Sequence, residues 1–424
     1  MNRADEVRDL VVVGAGAAGL MAAIAAGEDG TRGTLVVERS RDGGRKILIS
    51  GGGRCNVLPS RLSPRQYLTE SSPHSLRKLL LSWPLAEQRA YFEGPLGIPL
   101  ALEAETGKLF PVSGRARDVR DALVERARAL GAEFHFERSV EGLTLDAEAD
   151  EWILETTPGG PVRARTVILT TGGLSVPATG SDGTGLRLVE TLGHSIHDLY
   201  PALTPLVSAD APHADLAGVS LEVTLVAPGV RGAPEARGGF LFTHRGYSGP
   251  AVLDLSHLAV RSAHRERREA LHVRWTHEDQ AAWDRRLAAA GQSEGASTPV
   301  SALLRRALPQ RLADRMMKEA GVEGSVALAR LRREDRGALA GVLGAYPLPW
   351  TGDEGYRKAE VTGGGVSLAE VDPRSLESRV QPGLFLAGEI LDAFGPIGGY
   401  NFAWAWATGR MAGRGAAARV SRAG

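Results

Sequence analysis

A chain of 424 residues is long enough for two or three domains with substantial cores. Its 50 lysines and arginines balance 50 aspartates and glutamates, so no net field gathers nucleic acid or coats an anionic membrane. The 53 glycines exceed ordinary usage, and the single cysteine, Cys55, excludes an internal disulfide and fits a reducing compartment.

The first predicted element is Leu10–Val13, an apolar, β-branched run typical of a strand buried on both faces. A helix over Leu20–Ala26 and a second buried strand at Thr34–Glu38 complete a βαβ unit. The stretch Leu10–Ala26 has the length of a signal peptide's apolar region. Acids precede it and glycines interrupt it, so strand plus helix is the better reading. No apolar run reaches the roughly 18 residues of a membrane span, and the expectation is a cytoplasmic protein with no membrane partner. A helix at Asp118–Leu130, a strand at Glu133–Phe136, a hairpin through Trp152 and a strand at Thr166–Thr170 follow. The character changes after His194: strands at Leu221–Val226 and Gly239–Phe242, then an Arg-rich helical stretch over about 279–343. Gly363-Gly364-Gly365, the strand Leu384–Ala387 and a glycine-studded closing helix bring the first pattern back.

Between the first strand and helix stands Gly14-Ala15-Gly16-Ala17-Ala18-Gly19. Gly14 permits the tight turn, Gly16 lets the backbone reach a pyrophosphate, and Gly19 lets helix and strand pack closely. The helix N-terminus, with Ala17 and Ala18, offers free amides and a positive dipole end. Glu38, nineteen residues after Gly19 and followed by Arg39, is placed to accept hydrogen bonds from an adenosine ribose. The glycine motif alone does not separate FAD from NAD.

The next loop carries Gly43-Gly44-Arg45-Lys46 and then Gly53-Arg54-Cys55-Asn56. In two-domain flavoproteins such a segment runs along FAD, and Arg45 and Lys46 are expected to face phosphates and the flavin's pyrimidine edge. Cys55 reads as a small buried thiol, with no second cysteine to resolve a redox cycle. Val140 and Thr171-Gly172-Gly173 are further expected FAD contacts. Near the C-terminus, Gly388-Glu389 follows the apolar strand and Asp392 is expected at the ribityl chain. Gly398-Gly399-Tyr400-Asn401 and Ala403 open a helix whose amides suit a reduced flavin, while Trp404 and Trp406 read as core.

The block from Thr243 to Pro250 holds His244, Arg245 and Tyr247, which together with Tyr400 are the candidate catalytic residues. They could bind substrate and deliver a proton, or the block could be a structural turn; the sequence leaves both open. Histidines lack ligand spacing and no Cys/His cluster exists, so no metal is expected. The Arg-rich region reads as a solvated helix face, because Asp314, Glu319, Glu334 and Asp335 interleave it. No histidine in 43–56 offers a covalent flavin link, and no second G-x-G-x-x-G follows a strand, so the expectations are NAD(P)H as a transient electron donor or electrons arriving from the substrate itself.

Five blocks carry a specific resemblance: VVVGAGAAGLMAA, GGRKILISGGGRCN, TGGLSVPATGSDGTG, FTHRGYSGPAVLDLS, and VTGGGV through GEILDAFGPIGGYNFAWAWATG. The chain resembles the bacterial BaiN/RdsA-type (YhiN-like) family of NAD(P)/FAD-dependent flavoproteins, and more distantly fumarate reductases and tRNA-modifying flavoproteins of the GidA kind. The resemblance implies an α/β fold: a Rossmann-like FAD-binding domain in two segments, 1–194 and 353–424. Around 195–352 it implies an inserted substrate or cap module, β-barrel-like over 195–275 and helical over 276–345. Reduction of a bile-acid enone and oxidation of aminoacetone occur in the family, which fixes the cofactor better than the substrate. Two departures stand out: an acid at Asp182, and the bulky turn Ala393-Phe394-Gly395-Pro396. The expectation is a non-covalent FAD oxidoreductase that passes hydride through flavin N5 to a small organic substrate, with no nucleic-acid partner. An oxygen-using oxidase and an RNA-modifying enzyme remain the alternatives, and the oligomeric state is open.

Overall fold

In the computed structural model, which describes residues 7–263, 268–293, 295 and 297–423, β1 (Arg8–Val13) is the central strand of a parallel sheet. Its helix is α1 (Ala17–Glu28), and its neighbour is β2 (Leu35–Val37). The sheet continues with β3 (Glu133–His135) beside β2, β4 (Val162–Leu169) on the other side of β1, and β5 (Leu384–Leu386) beside β4. The order is therefore β3-β2-β1-β4-β5, with every pair parallel. Val12 faces Val36 on one side and Ile168 on the other, and all three are fully buried, as expected of strands covered on both faces. A hairpin of Ser139–Asp146 and Glu151–Thr157 pairs antiparallel with the N-terminal half of β4, Trp152 opposite Ala164.

The chain leaves β1 toward β2, and returns on the opposite side of β1 as β4. That switch opens a crevice beyond the carboxyl ends of the strands, where ligands bind in open α/β sheets. The closing helix α2 (Tyr400–Ala423) packs along α1. Contact this close needs glycine: a Cβ at Gly409 or Gly413 would overlap the carbonyl of Ala18 or Ala22.

These elements belong to one compact unit, Met1–Tyr200 with Val361–Gly424; the other is Pro201–Glu360. The second unit is built on a seven-stranded sheet, in the order Tyr346–Pro347, His272–Arg274, Ser220–Val226, Glu235–Phe242, Gly246–Ser248, Leu206–Val207 and Gly352–Asp353. Every described pairing in it is antiparallel. Only residues 348–351 separate the two edge strands, a link of about 17 Å at most. The sheet must curl until its edges approach, which gives it barrel-like curvature. Phe240, Phe242, Tyr247 and Trp275 fill its core. Helices Gln280–Ser293, Val300–Ala307, Gln310–Glu319 and Arg333–Gly344 interrupt the sheet before its edge strands are made.

Candidate cofactor site

The turn after β1 is fixed by backbone. Gly14 sits at φ +99° with its N–H donating to Val37 O at 2.8 Å. A Cβ there would stand 2.8 Å from Thr170 O, and one at Gly19 would overlap Gly14 O. At Gly16, the residue preceding α1, a Cβ would meet nothing within 4 Å, and no side chain caps the helix. The space over Gly16 is therefore open, and the first-turn amides, which have no acceptor within the helix, suit an anionic pyrophosphate there.

Glu38 is buried at the end of β2. Ala15 N–H donates to its Oε2 at 2.7 Å; Ser40 N–H and Oγ donate to its Oε1 at 2.8 and 2.6 Å. Those three bonds lock the carboxylate and leave acceptor capacity for a ribose hydroxyl. Ser40 was absent from the sequence reading; a hydroxyl two residues after a strand-end acid is the signal that could have found it. Arg39 runs across Gly180 and pairs with Asp182. Burial pushes the Asp182 carboxyl up, but Arg39 and the Thr184 hydrogen bonds outweigh it and hold the pKa low. The acid that departs from the family pattern is thus a partner for Arg39.

The next loop folds back on this turn, Gly44 at φ +70° donating to Ala15 O at 2.8 Å. Lys46 does not present a free cation to phosphate or flavin, as its position in the loop suggested. Its Nζ donates to Glu389 Oε2 and to Ser175 Oγ, each at 2.7 Å, and Ser175 Oγ donates to Glu389 Oε1 at 2.7 Å. Thr362 N–H donates to the same carboxylate at 3.0 Å. Burial raises the Glu389 pKa; Lys46, Ser175 and the Thr362 amide more than offset it, so the carboxyl titrates below its ordinary value. Ser175 and Thr362 were also missed, both lying beside glycine runs that drew the eye. Arg45 stands 3.9 Å from Asp42. Gly172, at φ +72°, and Gly173 line the loop after β4, where Thr171 Oγ1 is buried without a hydrogen-bond partner. Gly388, at φ +81°, lies against Ala18.

A second wall forms at the start of α2. Gly399, at φ +92°, is pressed on Leu58, and Asn56, with its amide turned to satisfy both ends, donates to Leu58 O and accepts from Gly399 N–H. Asn401 closes the preceding loop through Gly395 N–H and O at 2.9 and 3.0 Å. Tyr67 OH donates to Tyr400 O, and Gln66 donates to the Tyr400 hydroxyl. Ala403 is fully buried. Trp404 and Trp406 are core, and their indole N–H groups donate to Gly388 O and Val57 O, tying the two walls together. Cys55 is buried at φ +60°; burial favours the neutral thiol and pushes its pKa up to about 12 despite a hydrogen bond from Ser50.

Other predicted contacts fall elsewhere. Asp392, expected at the ribityl chain, is 1% exposed, and its Oδ2 accepts from Thr69, Glu70 and Ser71 at 2.8–2.9 Å. It holds that turn. Arg54, next to the exposed Gly53, lies 4.0 Å over the Phe110 ring and pairs with Glu103. Val140 is buried in the hairpin, at its register break. The bulky Phe394 is absorbed by an edge contact to Tyr200 and backbone bonds to Leu68.

In the second unit, His244 and Arg245 are exposed in the turn between two strands. Tyr247, on the strand, alternates inward: it is fully buried, and its hydroxyl bonds to His213 Nδ1 at 2.8 Å. His213 Nε2 meets Tyr346 OH at 3.0 Å and Glu319 at 3.3 Å. A phenol so enclosed serves packing. Among the described residues there is no cluster of three or more metal-type side chains, and no helix is long and apolar enough to cross a membrane.

The assembled residues fit a dinucleotide: open space over Gly16, an anchored acid for a ribose, and glycines where a Cβ would fill the cradle. The family profile described as "HI0933-like protein Rossmann domain" matches residues 8–415. The ribosomal RNA dihydrouridine synthase of Escherichia coli is 31% identical, over 94% of this chain and 96% of that protein. The 3-dehydro-bile acid delta(4,6)-reductase of Clostridium scindens is 30% identical, over 96% and 98%, and a second ribosomal RNA dihydrouridine synthase, from Haemophilus influenzae, is 29% identical over 94% and 96%. Among solved structures, an open flavocytochrome c3 fumarate reductase shares the fold, with TM-score 0.51 and 16% identity over 99% of this chain and 79% of that one. Relatives named for ribosomal RNA overturn the expectation of a protein with no nucleic-acid partner. That expectation rested on a balanced total charge, and a total says nothing of local distribution.

Proposed function

The chain belongs to the HI0933-like Rossmann family and is a flavoprotein oxidoreductase; from that premise we propose an FAD-dependent reductase of carbon–carbon double bonds conjugated to a carbonyl, acting on uracil in ribosomal RNA. The observation that carries this reading is the chain-long likeness to enzymes named for two substrates with one chemistry. In uracil and in a 3-oxo-Δ4,6 steroid alike, the double bond accepts hydride at the carbon far from the carbonyl and a proton at the near one. Ribosomal RNA is preferred because two of those three relatives are named for it.

Bound FAD would supply hydride transfer. The residues of the chain would hold it: α1 and Gly16 at the pyrophosphate, Glu38 at the adenosine ribose, and the start of α2 at the flavin's pyrimidine edge, where its amides favour negative charge. Reduced nicotinamide is the proposed transient electron donor. His244, Arg245 and Tyr400 are the proposed substrate contacts; Tyr247, spent on His213, is not among them.

Deleting the gene and digesting ribosomal RNA for mass spectrometry tests the reading. Dihydrouridine in the ribosomal RNA is expected to fall and to return with the purified holoprotein and reduced nicotinamide. Unchanged dihydrouridine, with turnover on a 3-oxo-Δ4,6 steroid, would replace RNA by a small-molecule substrate.

A further inference from the structure

Beside the cradle, Lys46, Ser175 and Glu389 form a closed triangle with every edge at 2.7 Å. Ser175 is fully buried, and Thr362 adds a fourth segment: its amide bonds to Glu389 and its hydroxyl accepts from Leu174 N–H at 2.7 Å. Three corners stand one or two residues beyond a cradle glycine. Lys46 follows Gly44, Ser175 follows Gly173, and Glu389 follows Gly388. Gly44 is bonded to the β1 turn and Gly388 touches Ala18 in α1, so the turn and the helix that follows it both register any movement of the triangle.

A partly buried ion pair is weak evidence for stability, because apolar side chains of the same volume often hold a fold as well. What a charged triangle does, and apolar packing does not, is couple its corners. Removing one charge strands the other and frees three loops together. We infer that Glu389, acting through Lys46 and Ser175, is a positioning residue that holds the cradle around its dinucleotide and sets how slowly FAD leaves. The inference rests on FAD as the occupant and is independent of the substrate.

FAD release from the holoprotein, followed by flavin fluorescence after dilution into excess scavenging apoflavoprotein, tests it without any turnover. Glu389→Gln preserves shape but strands the Lys46 ammonium, and release roughly tenfold faster or more is expected. Lys46→Met should act likewise, whereas Lys46→Arg, which keeps the charge, should stay within about threefold of wild type. Equal release from Lys46→Met and Lys46→Arg would overturn the inference. If Glu389→Gln does not yield folded protein, Ser175→Ala removes one edge without touching a charge. Release from it at the wild-type rate, together with a wild-type rate in Lys46→Met, would sink the idea.

Discussion

The two units use buried polar groups in opposite ways. In the parallel-sheet unit, Glu38, Glu389 and Asp392 are each held by hydrogen bonds from loops beyond the strand ends. There the backbone builds the site, and side chains fix the backbone. In the unit Pro201–Glu360, His213, Tyr247 and Tyr346 share hydrogen bonds inside an aromatic core of Phe240, Phe242 and Trp275. There polar atoms serve packing. The lesson is that a cluster of reactive residue types marks a site only where the chain has been freed from packing.

Substitutions can break this contrast, beginning with the harshest. Gly409→Val drives a side chain into the Ala18 carbonyl, which cannot give way as a flexible side chain could. A loss at or above the roughly 3 kcal/mol upper end of ordinary overpacking is expected, read as a lower melting temperature and lost flavin. Wild-type melting would mean that the backbone-built site does not depend on that helix contact.

Next comes acid. His257, on the helix Pro250–Ser262, is 7% exposed, and burial lowers its pKa from 6.5 to about 4. Between those values the unfolded chain takes a proton that the folded state refuses. Stability is full above pH 6.5 and falls as pH drops toward 4, by on the order of 3 kcal/mol. Denaturant titrations of His257→Asn across that window should show a shallower slope than wild type; an identical slope would remove the histidine from the account.

Glu38→Ala tests the backbone-built side directly. Loss of a charged acceptor should weaken FAD binding by about 1.5–3 kcal/mol, roughly 10- to 150-fold. Calorimetry on the FAD-free protein measures it, and unchanged affinity would unseat the ribose assignment.

Tyr247→Phe sharpens the other half. It leaves His213 Nδ1 buried and unpartnered, at about 1–3 kcal/mol of stability, with FAD content and activity per flavin unchanged. Activity loss at full stability would return Tyr247 to the site. The smallest effect has the opposite sign. A Cβ at Gly337, within the helix Arg333–Gly344, meets nothing within 4 Å, so Gly337→Ala should stabilise by about 0.4–1 kcal/mol in a thermal melt.

Much of the fold was legible because its signals are local. The apolar run before Gly14, the small-residue helix after it and Glu38 on the next strand can each be read within a few residues. The return of the sheet at Leu384–Leu386 was equally plain. What could not be read depends on distant partners. Lys46 looked like a free cation because Glu389 lies 343 residues away, and Asp392 looked like a ligand group because its turn lies 321 to 323 residues away. Arg54 sits among cradle residues in sequence, yet its guanidinium lands on Phe110, on the hairpin strand Lys108–Pro111. Within the Thr243–Pro250 block the difficulty was the strand boundary: Arg245 stands exposed in the turn, whereas Tyr247, two residues on, lies within the strand Gly246–Ser248 and is enclosed, and residue type does not report where the turn ends.

The helix that closes the parallel sheet lies far along the chain from the strand it completes, Tyr400–Ala423 against Arg8–Val13. All strands of the unit Pro201–Glu360 exist once Gly352–Asp353 has been synthesised, whereas β5 and α2 extend to Leu386 and Ala423. At about 5–20 residues per second, roughly 70 further residues take some 3–15 s. Through that interval α1 has no α2 to cover it, although Ala18 through Ala26 are all buried in the finished fold. The strands of the inserted unit are thus all available for pairing before the helix that covers α1 has been made.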